Sequence, residues 1–508
     1  METSNREQLI WDDIVVGGGS AGAVLAARLS ERPDRRVLLL EAGPRPTDRG
    51  DQPVLSGSNW EFEARVGDGG PDGRSCPYPV GRVLGGSSAV NGALALRGLP
   101  FDFDGWAAAG LDEWGWTEVL PWYAALESDA DVLGPGHGTD GPVPVRRTAP
   151  SELAPLASGF LRACADLGIP RAADLNDPGS LLGAGPIPLN VVGRRRYSAA
   201  DAYLEPAADR ANLTVWTGTT ARRVQVRGGR ATGVTAVRDG RELTLSAGSV
   251  TLAAGAVNTA ALLLRSGIGP ADDLAGQGIA PVLDLPGVGR NLIDHPIVAL
   301  WAVTRPGVAR PGEQMHQVLA RVDSTGGSRP DLNLTLVNTL AGLAVPGAAQ
   351  VLRGRPAMSL HSTALRPTSR GSVTLRDGEP EITLGLATTP EDVAVLMAGT
   401  RLVWELSHDQ ELDRHLDKRL LWTERMVHQD ELLRRAVTSF VFPAWHPVGT
   451  ARMGPDDDRE AVVDQRLAVR GLTGLRIADA SVMPAMPSAP TNLTCLMIAE
   501  RTAAWMCQ

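Results

Sequence analysis

Two stretches of this 508-residue chain carry residue types that can do chemistry. Near the end, FPAWHPVGTARMG (442–454) sets His446 between Trp445 and Pro447, with Gly449 close behind. A neutral imidazole, with a reference pKa of about 6.5, can take a hydroxyl proton near neutral pH. Taken alone, the residue reads more readily as a histidine packed in a core. Near the start, DDIVVGGGSAGAVLAARLSERPDRRVLLLEAG spaces Gly17, Gly19 and Gly22 as G-x-G-x-x-G. An apolar run, Ile14 to Val16, precedes these glycines, and a helix-like run, Ala23 to Leu29, follows them. In this pattern the first glycine permits a tight turn, the second lets backbone approach a pyrophosphate, and the third lets helix and strand pack closely. Glu41 ends a second apolar run, Val37 to Leu40, where an acidic side chain about 20 residues on binds a ribose hydroxyl. The pattern predicts a dinucleotide site without choosing FAD over NAD.

These residues need more than one core to position them. The length predicts two or more domains. With 43% hydrophobic and 21% charged residues, the composition is that of a soluble globular protein. Six Phe and four Tyr against twelve Trp leave the cores to Ala, Val and Leu. Arg supplies nearly all the basic charge, with one Lys at 418, which points to a GC-rich bacterial coding sequence. A net charge of −9 argues against nucleic-acid binding, which needs a basic surface. Cys76, Cys164, Cys495 and Cys507 show neither CxxC nor ladder spacing and read as buried thiols. METSNREQLIWDD lacks the basic start and apolar run of a secretory signal, and no uncharged stretch is long enough to span a membrane. The expected location is the cytoplasm.

Residues 128–190 are rich in Gly, Pro and Asp and read as loops with one helix near 151–167. The stretches NLTVWTGTTARRVQVRGGRATGVTAV and RELTLSAGSVTLAAG alternate apolar and polar residues around Gly-Gly and Asp-Gly turns, as hairpin strands do. Past Pro296, strand-like pieces (DLNLTLVNTL, GSVTLRD, EITLGLA) precede a helix over 390–406 and a charged helical stretch to about 435. The last element, LTCLMIAERTAAWM, reads as a buried helix.

GRVLGGSSAVNGALALRGLPFDFDGW (81–106) crowds paired glycines, paired serines and Asn-Gly, as backbone passing close to a flat ligand would. It resembles the first signature of the glucose-methanol-choline (GMC) oxidoreductases, a family of FAD-dependent flavoproteins. The fixed positions agree from Gly81, Arg82, Gly85, Gly86, Ser87, Ser88 and Asn91 to Asp104. GAVNTAALLLRSGIG (255–269) resembles the second signature, departing at Ala260, where the family has Pro or Ser. RRYSAADAYLEPA, LPGVGRNLIDHP, HPVGTARMG and GLRIADASVMP follow in the family's order. The resemblance spans residues 13 to 505.

It implies an α/β (α+β overall) fold in which a Rossmann-like FAD-binding domain is interrupted by a substrate domain built on an antiparallel sheet with helices. The FAD-binding parts fall at 1–150, 195–300 and 441–508, and the substrate parts at 151–194 and 301–440. Gly17, Gly19 and Gly22 are expected at the pyrophosphate and Glu41 at the adenosine ribose. The resemblance sets the run from Gly85 through Gly86, Ser87, Asn91 and Gly92, with Arg82 beside it, along the isoalloxazine. Val224 is expected near the adenine, and Asp479 and Ala480 near the pyrophosphate and ribityl chain. Val90 stands where family members with a covalent flavin have a histidine, so a non-covalent FAD is expected.

The implied reaction is oxidation of a small-molecule alcohol, with hydride passing to flavin N5 and His446 as general base. Oxygen, a quinone or another acceptor would take the electrons. A GMC-type lyase or decarboxylase that retains FAD without net oxidation is the alternative. The family's second catalytic His or Asn falls 44 residues after the base, which here is Pro490, a residue with neither side-chain donor nor backbone N–H. Asn492, two positions on, and His361 are the candidate replacements, and His446 acting alone is the third option. Trp445, His361 and Pro490 are expected in the substrate pocket. His295 reads as structural, and His137, His316, His408, His415 and His428 as exposed. No histidine spacing argues for metal, and Ser87 and Ser88 form no G-x-S-x-G elbow. Substrate candidates are sugars or glycosides, aromatic alcohols, and a redox-carrier alcohol such as reduced mycofactocin. The oligomeric state is left open.

Overall fold

The apolar run at the start is a strand, β1 (Ile10–Val16), joined by helix α1 (Ser20–Leu29) to β2 (Val37–Leu40). The two strands pair in parallel, Asp13 opposite Val37 and Val16 opposite Leu40. All four residues of β2 are buried, so both faces are covered and its apolar run is continuous rather than alternating. The computed structural model describes residues 10–67, 73–134, 136–310, 312–339, 352 and 354–508. Residues 1–9, part of the segment in which no secretory signal was found, lie outside the described residues.

The first sheet adds β3 (Leu213–Trp216), β4 (Thr219–Arg227), β5 (Arg230–Arg238) and β6 (Arg241–Leu252), in the order β3-β2-β1-β6-β5-β4. β3 to β6 through β1 is parallel, whereas β4 and β5 return as antiparallel hairpins at the predicted Gly-Gly and Asp-Gly turns. A short strand, Leu475–Ile477, pairs in parallel with β6, so the end of the chain rejoins its beginning.

The second sheet is antiparallel throughout. It contains β7 (Pro296–Thr304), β8 (His316–Val322), β9 (Leu332–Val337), β10 (Ala357–Ala364) and β11 (Leu416–Leu420), in the order β11-β7-β10-β9-β8. Alternate residues face opposite sides of a strand. Leu300, Leu334 and Leu360 pack into a core with Leu396, Val403 and Leu406 of helix α2 (Pro390–His408). Ile297, Trp301, Thr335 and His361 lie on the other face and line a cavity between the two sheets' regions.

The charged stretch to 435 is not one helix. Its middle pairs with β7 as strand β11, with Trp301 opposite Leu420, and tertiary pairing overrides helical composition there. The predicted helix near 151–167 spans Pro155–Asp166, and the last helix, α3, spans Asn492–Cys507. Arg28 of α1 and Glu500 of α3 form an ion pair at 2.9 Å that also accepts the Tyr203 hydroxyl. All four cysteines are free, with Cys164 and Cys495 buried and Cys76 and Cys507 half-buried. Among the described residues, no helix is long and apolar enough to cross a membrane.

Candidate active site

A cavity of about 1170 Å³ runs from Gly17 and Gly19 at the end of β1, past Gly86 and Asn91, to His446. Glycine is required at its dinucleotide end. A Cβ on Gly22 would lie 1.8 Å from the Gly17 carbonyl oxygen, so no side chain fits where α1 crosses the turn. Gly86, at φ +53°, passes so close to Gly19 that a Cβ there would meet its Cα at 2.6 Å. The Gly85 amide donates to the Gly18 carbonyl at 2.7 Å and joins the 81–92 run to this turn. Glu41 is buried beside it, accepting from the Gly18 amide at 2.9 Å and the Gly43 amide at 2.7 Å. Burial pushes its carboxyl up to about 7 against those two bonds. A carboxylate offers about four lone-pair sites, so it keeps acceptor capacity.

Arg82, Ser87, Gly92, Asp479 and Ala480 line the same cavity, and the Arg82 guanidinium lies over the Trp60 ring at 4.7 Å. Asp479 accepts from the Gly255 amide at 2.9 Å, from Thr259 Oγ1 at 2.6 Å and from Ser481 Oγ at 2.5 Å, tying the second signature to the carboxyl-terminal segment. Val224 was expected near the adenine. It is buried, donates its amide to Ser266 Oγ at 2.8 Å, and is absent from the cavity lining. Ala221, on the same strand, lines the cavity instead. β4 has register shifts between Ala221 and Arg223 and between Gln225 and Val226.

At the opposite end, the segment carrying His446 is zipped onto the segment carrying His295. Phe442–Pro443 pairs with Pro296–Ile297, the Ala444 amide donates to the His295 carbonyl at 3.0 Å, and Ile293 and Val448 exchange amide bonds at 3.0 and 3.1 Å. Between these bonds Trp445 takes φ +61°, a left-handed conformation that a bulky residue adopts only when its surroundings hold it. The His446 amide donates to Asp294 Oδ1 at 2.9 Å, and the Tyr78 hydroxyl donates to Asp294 Oδ2 at 2.5 Å. Burial pushes the Asp294 carboxyl up to about 7.

His446 is half-buried and lines the cavity. Its Nδ1 lies 3.0 Å from His295 Nδ1, and His295 Nε2 lies 3.2 Å from the Leu365 carbonyl oxygen. A carbonyl only accepts, so His295 carries its proton on Nε2. Its bare Nδ1 then accepts from His446 Nδ1–H, which leaves the His446 lone pair on Nε2. Burial first pushes both imidazoles down, His446 to about 3 and His295 to about 4, so both are neutral near pH 7. The sequence reading assigned His295 a structural place. Nothing in sequence spacing links two histidines 151 residues apart, and only the pairing of the two segments brings them together.

Pro490, Trp445 and His361 line the cavity with His446, and Trp445 is 39% exposed. Asn492 also lines it, but its Oδ1 accepts from Ser20 Oγ at 2.9 Å, at the start of α1, so its carboxamide is engaged at the dinucleotide end. His361 Nε2 lies 2.9 Å from Ser359 Oγ.

Three histidines expected to be exposed are not, and one of them, His415, is half-buried. His316 lines the cavity, and His137 bridges Glu127 at 2.9 Å and Asp174 at 3.1 Å with its side chain 7% exposed. Arg97 pairs with Glu127, and Arg147 pairs with Asp129 and Asp174. Three carboxylates thus face two guanidiniums and one imidazole that these partners push up to about 11, a set that balances its own charge. The Gly-rich context around His137 gave no hint of that burial.

The amino-terminal profile of the GMC oxidoreductases matches residues 11–297, and the carboxyl-terminal profile of the same family matches residues 367–499. The chain belongs to the GMC oxidoreductases. It is 36% identical to 5-(hydroxymethyl)furfural oxidase of Methylovorus sp. (strain MP688), over 97% of this chain and 98% of that one. It is 33% identical to pyridoxine 4-oxidase of Microbacterium luteolum, over 96% and 98%. The crystal structure of pyridoxine 4-oxidase from Mesorbium loti superposes with a TM-score of 0.88 at 33% identity, covering 97% of this chain and 99% of that one.

The residues of this GMC oxidoreductase fit FAD. The glycine cradle admits a pyrophosphate only where no Cβ stands, and the buried Glu41 carboxylate keeps acceptor capacity beside it. The cavity exceeds the roughly 300–1,000 Å³ of an ordinary ligand pocket, as a dinucleotide with a substrate requires.

Proposed function

We propose that this GMC oxidoreductase holds FAD non-covalently and oxidises a small alcohol, with His446 taking the hydroxyl proton. The observation that carries this reading is the tautomer chain from Leu365 through His295 to His446. It leaves a neutral imidazole with its lone pair on Nε2, within a cavity that also holds the flavin-type glycine run. When bound, FAD supplies the acceptor for the hydride that leaves the carbinol carbon. Gly17 and Gly19 would hold the pyrophosphate, Gly22 lets α1 pack against that turn, and Glu41 would accept from the ribose. Gly86, Ser87, Asn91 and Gly92 lie along the ring system. Val90 lines the cavity without a nucleophile, so no bond to the flavin forms.

Pro490 offers no donor and Asn492 Oδ1 accepts from Ser20 at the dinucleotide end, while His295 stands directly behind His446 and supports it as the base. The relatives' names refer to 5-(hydroxymethyl)furfural and pyridoxine, both flat rings bearing a hydroxymethyl group. Trp301 and Phe442 offer apolar walls for such a ring. These names support ring-borne primary alcohols as the substrate class and give the lyase alternative no footing.

The test is anaerobic mixing of the holoenzyme with a panel of ring-borne, sugar and aliphatic alcohols. The expected result is loss of oxidised-flavin absorbance with one aldehyde formed per flavin. Product without flavin reduction would overturn the reading. The same panel run with oxygen and then with a quinone or dye separates an oxidase from a dehydrogenase.

A further inference from the structure

The cavity face of the second sheet is polar where a site for a purely apolar alcohol has no need of it. Register sets His361 opposite Thr335, Thr363 opposite Asn333, and Ser359 opposite Val337, which has His316 on its other side. All of these line the cavity. Asn333 is 6% exposed and its Oδ1 has no hydrogen-bond partner among the described residues, nor has His316 Nδ1. A buried polar group left unpaired costs free energy, so the pattern needs an explanation. His361 is held by Ser359 Oγ at 2.9 Å and stands edge-on to Phe442 at 5.8 Å, which fixes its ring.

Among the described residues, no Lys, Arg, Asp or Glu of this sheet lines the cavity. Arg321 stands opposite Asn333, but its guanidinium donates to the Leu175 carbonyl at 3.1 Å and stays out of the lining. Burial pushes His316 down to about 4 and His361 to about 3, so both rings are neutral. A carboxylate or an ammonium would find no counter-charge on this face.

We infer that the face formed by His361, Thr335, Asn333 and His316 is a second subsite, binding a neutral hydrogen-bonding group (hydroxyl, ring heteroatom or carbonyl) that the substrate carries apart from its reacting alcohol. The inference rests on the reading that an alcohol is oxidised beside His446. It makes the substrate a bifunctional neutral ring alcohol rather than an aliphatic, acidic or cationic one.

The test compares two alcohols that differ by one hydroxyl, 2,5-bis(hydroxymethyl)furan and 5-methylfurfuryl alcohol, on the FAD-loaded enzyme. The subsite predicts a kcat/KM ratio of more than tenfold in favour of the diol, beyond the twofold statistical advantage. His361→Phe and Asn333→Leu should each reduce that ratio severalfold, and the near-isosteric Thr335→Val does so with the least risk to folding. A wild-type ratio near two, or a ratio unmoved in the folded variants, overturns the subsite. Flavin reduction by 5-methylfurfuryl alcohol in the wild type reports on the underlying reading separately. Its presence with an unmoved ratio removes only the subsite, whereas no reduction by either alcohol removes both.

Discussion

The Nδ1 atoms of His295 and His446 lie 3.0 Å apart, with the two rings nearly perpendicular at 89°. One of these nitrogens must donate and the other accept, and the Leu365 carbonyl on the far side of His295 decides which. The proton order is thereby fixed from a main-chain oxygen to the cavity.

Replacing His295 by Phe removes the acceptor for His446 Nδ1–H and frees the ring to adopt the other tautomer. We expect kcat to fall by about tenfold, less than the roughly 10²–10⁴ lost when a general base itself is removed. A base must be deprotonated to act, and burial together with His295 pushes His446 down to about 3. Wild-type kcat/KM is therefore expected to stay flat from neutral pH down to about 4, falling only as the imidazoles protonate. Loss of the repulsion from His295 moves that acid limb upward in the variant, which a pH profile of kcat/KM measures.

Asp294 fixes the main chain under the base by accepting from the His446 amide and the Tyr78 hydroxyl. Asp294→Leu strands these donors, each at about 1–3 kcal/mol when buried, and should lower Tm and activity together. Asp294→Asn keeps an acceptor for the His446 amide and should fold. Because burial raises the folded-state pKa to about 7 from the ordinary 3.8, the wild type holds an extra proton between those values. This group's contribution to stability therefore decreases as pH rises from about 4 to 7. The Asn variant should lack that component in denaturant titrations run across the same range.

His137 works in the same direction but over a higher pH range. Its partners Asp129, Asp174 and Glu127 push it up to about 11. The stabilisation is complete below the unfolded value near 6.5 and is lost as pH rises toward and through 11. His137→Leu should cost roughly 3–5 kcal/mol, the usual loss when one partner of a buried ion cluster is removed. Chemical denaturation at pH 6 and pH 10 should show a large difference between wild type and variant at the lower pH and a smaller one at the higher.

Gly22→Val forces a side chain against the Gly17 carbonyl and should yield protein without bound flavin, read from the ratio of flavin to protein absorbance. In the wild type, Val90 offers no attachment point, so acid precipitation should release all the flavin into the supernatant.

Much of the dinucleotide end was legible in the sequence because its determinants are local. Gly17, Gly19, Gly22 and Glu41 lie within one strand-helix-strand unit, and the steric need for glycine is written in adjacent residues. On strand β4, Ala221 lines the cavity and Val224 does not, a distinction that depends on the strand's register shifts and is not visible in local sequence. The substrate end depends on pairing between distant segments. His295 meets His446 through residues 293–297 and 442–448, and His316 and His137 are covered by strands and carboxylates far away in the chain. Local polarity around those histidines pointed to solvent, and only the assembled sheets overrule it.

The central claim is that His446 takes the substrate proton. The direct measurement is anaerobic stopped-flow reduction of the flavin in wild type and His446→Ala, using an alcohol the wild type accepts and protein of equal flavin content. The predicted result is a reduction rate lower by about 10² or more in the variant, the span of a lost general base. Bleaching of the variant's flavin as fast as the wild type's would contradict the account.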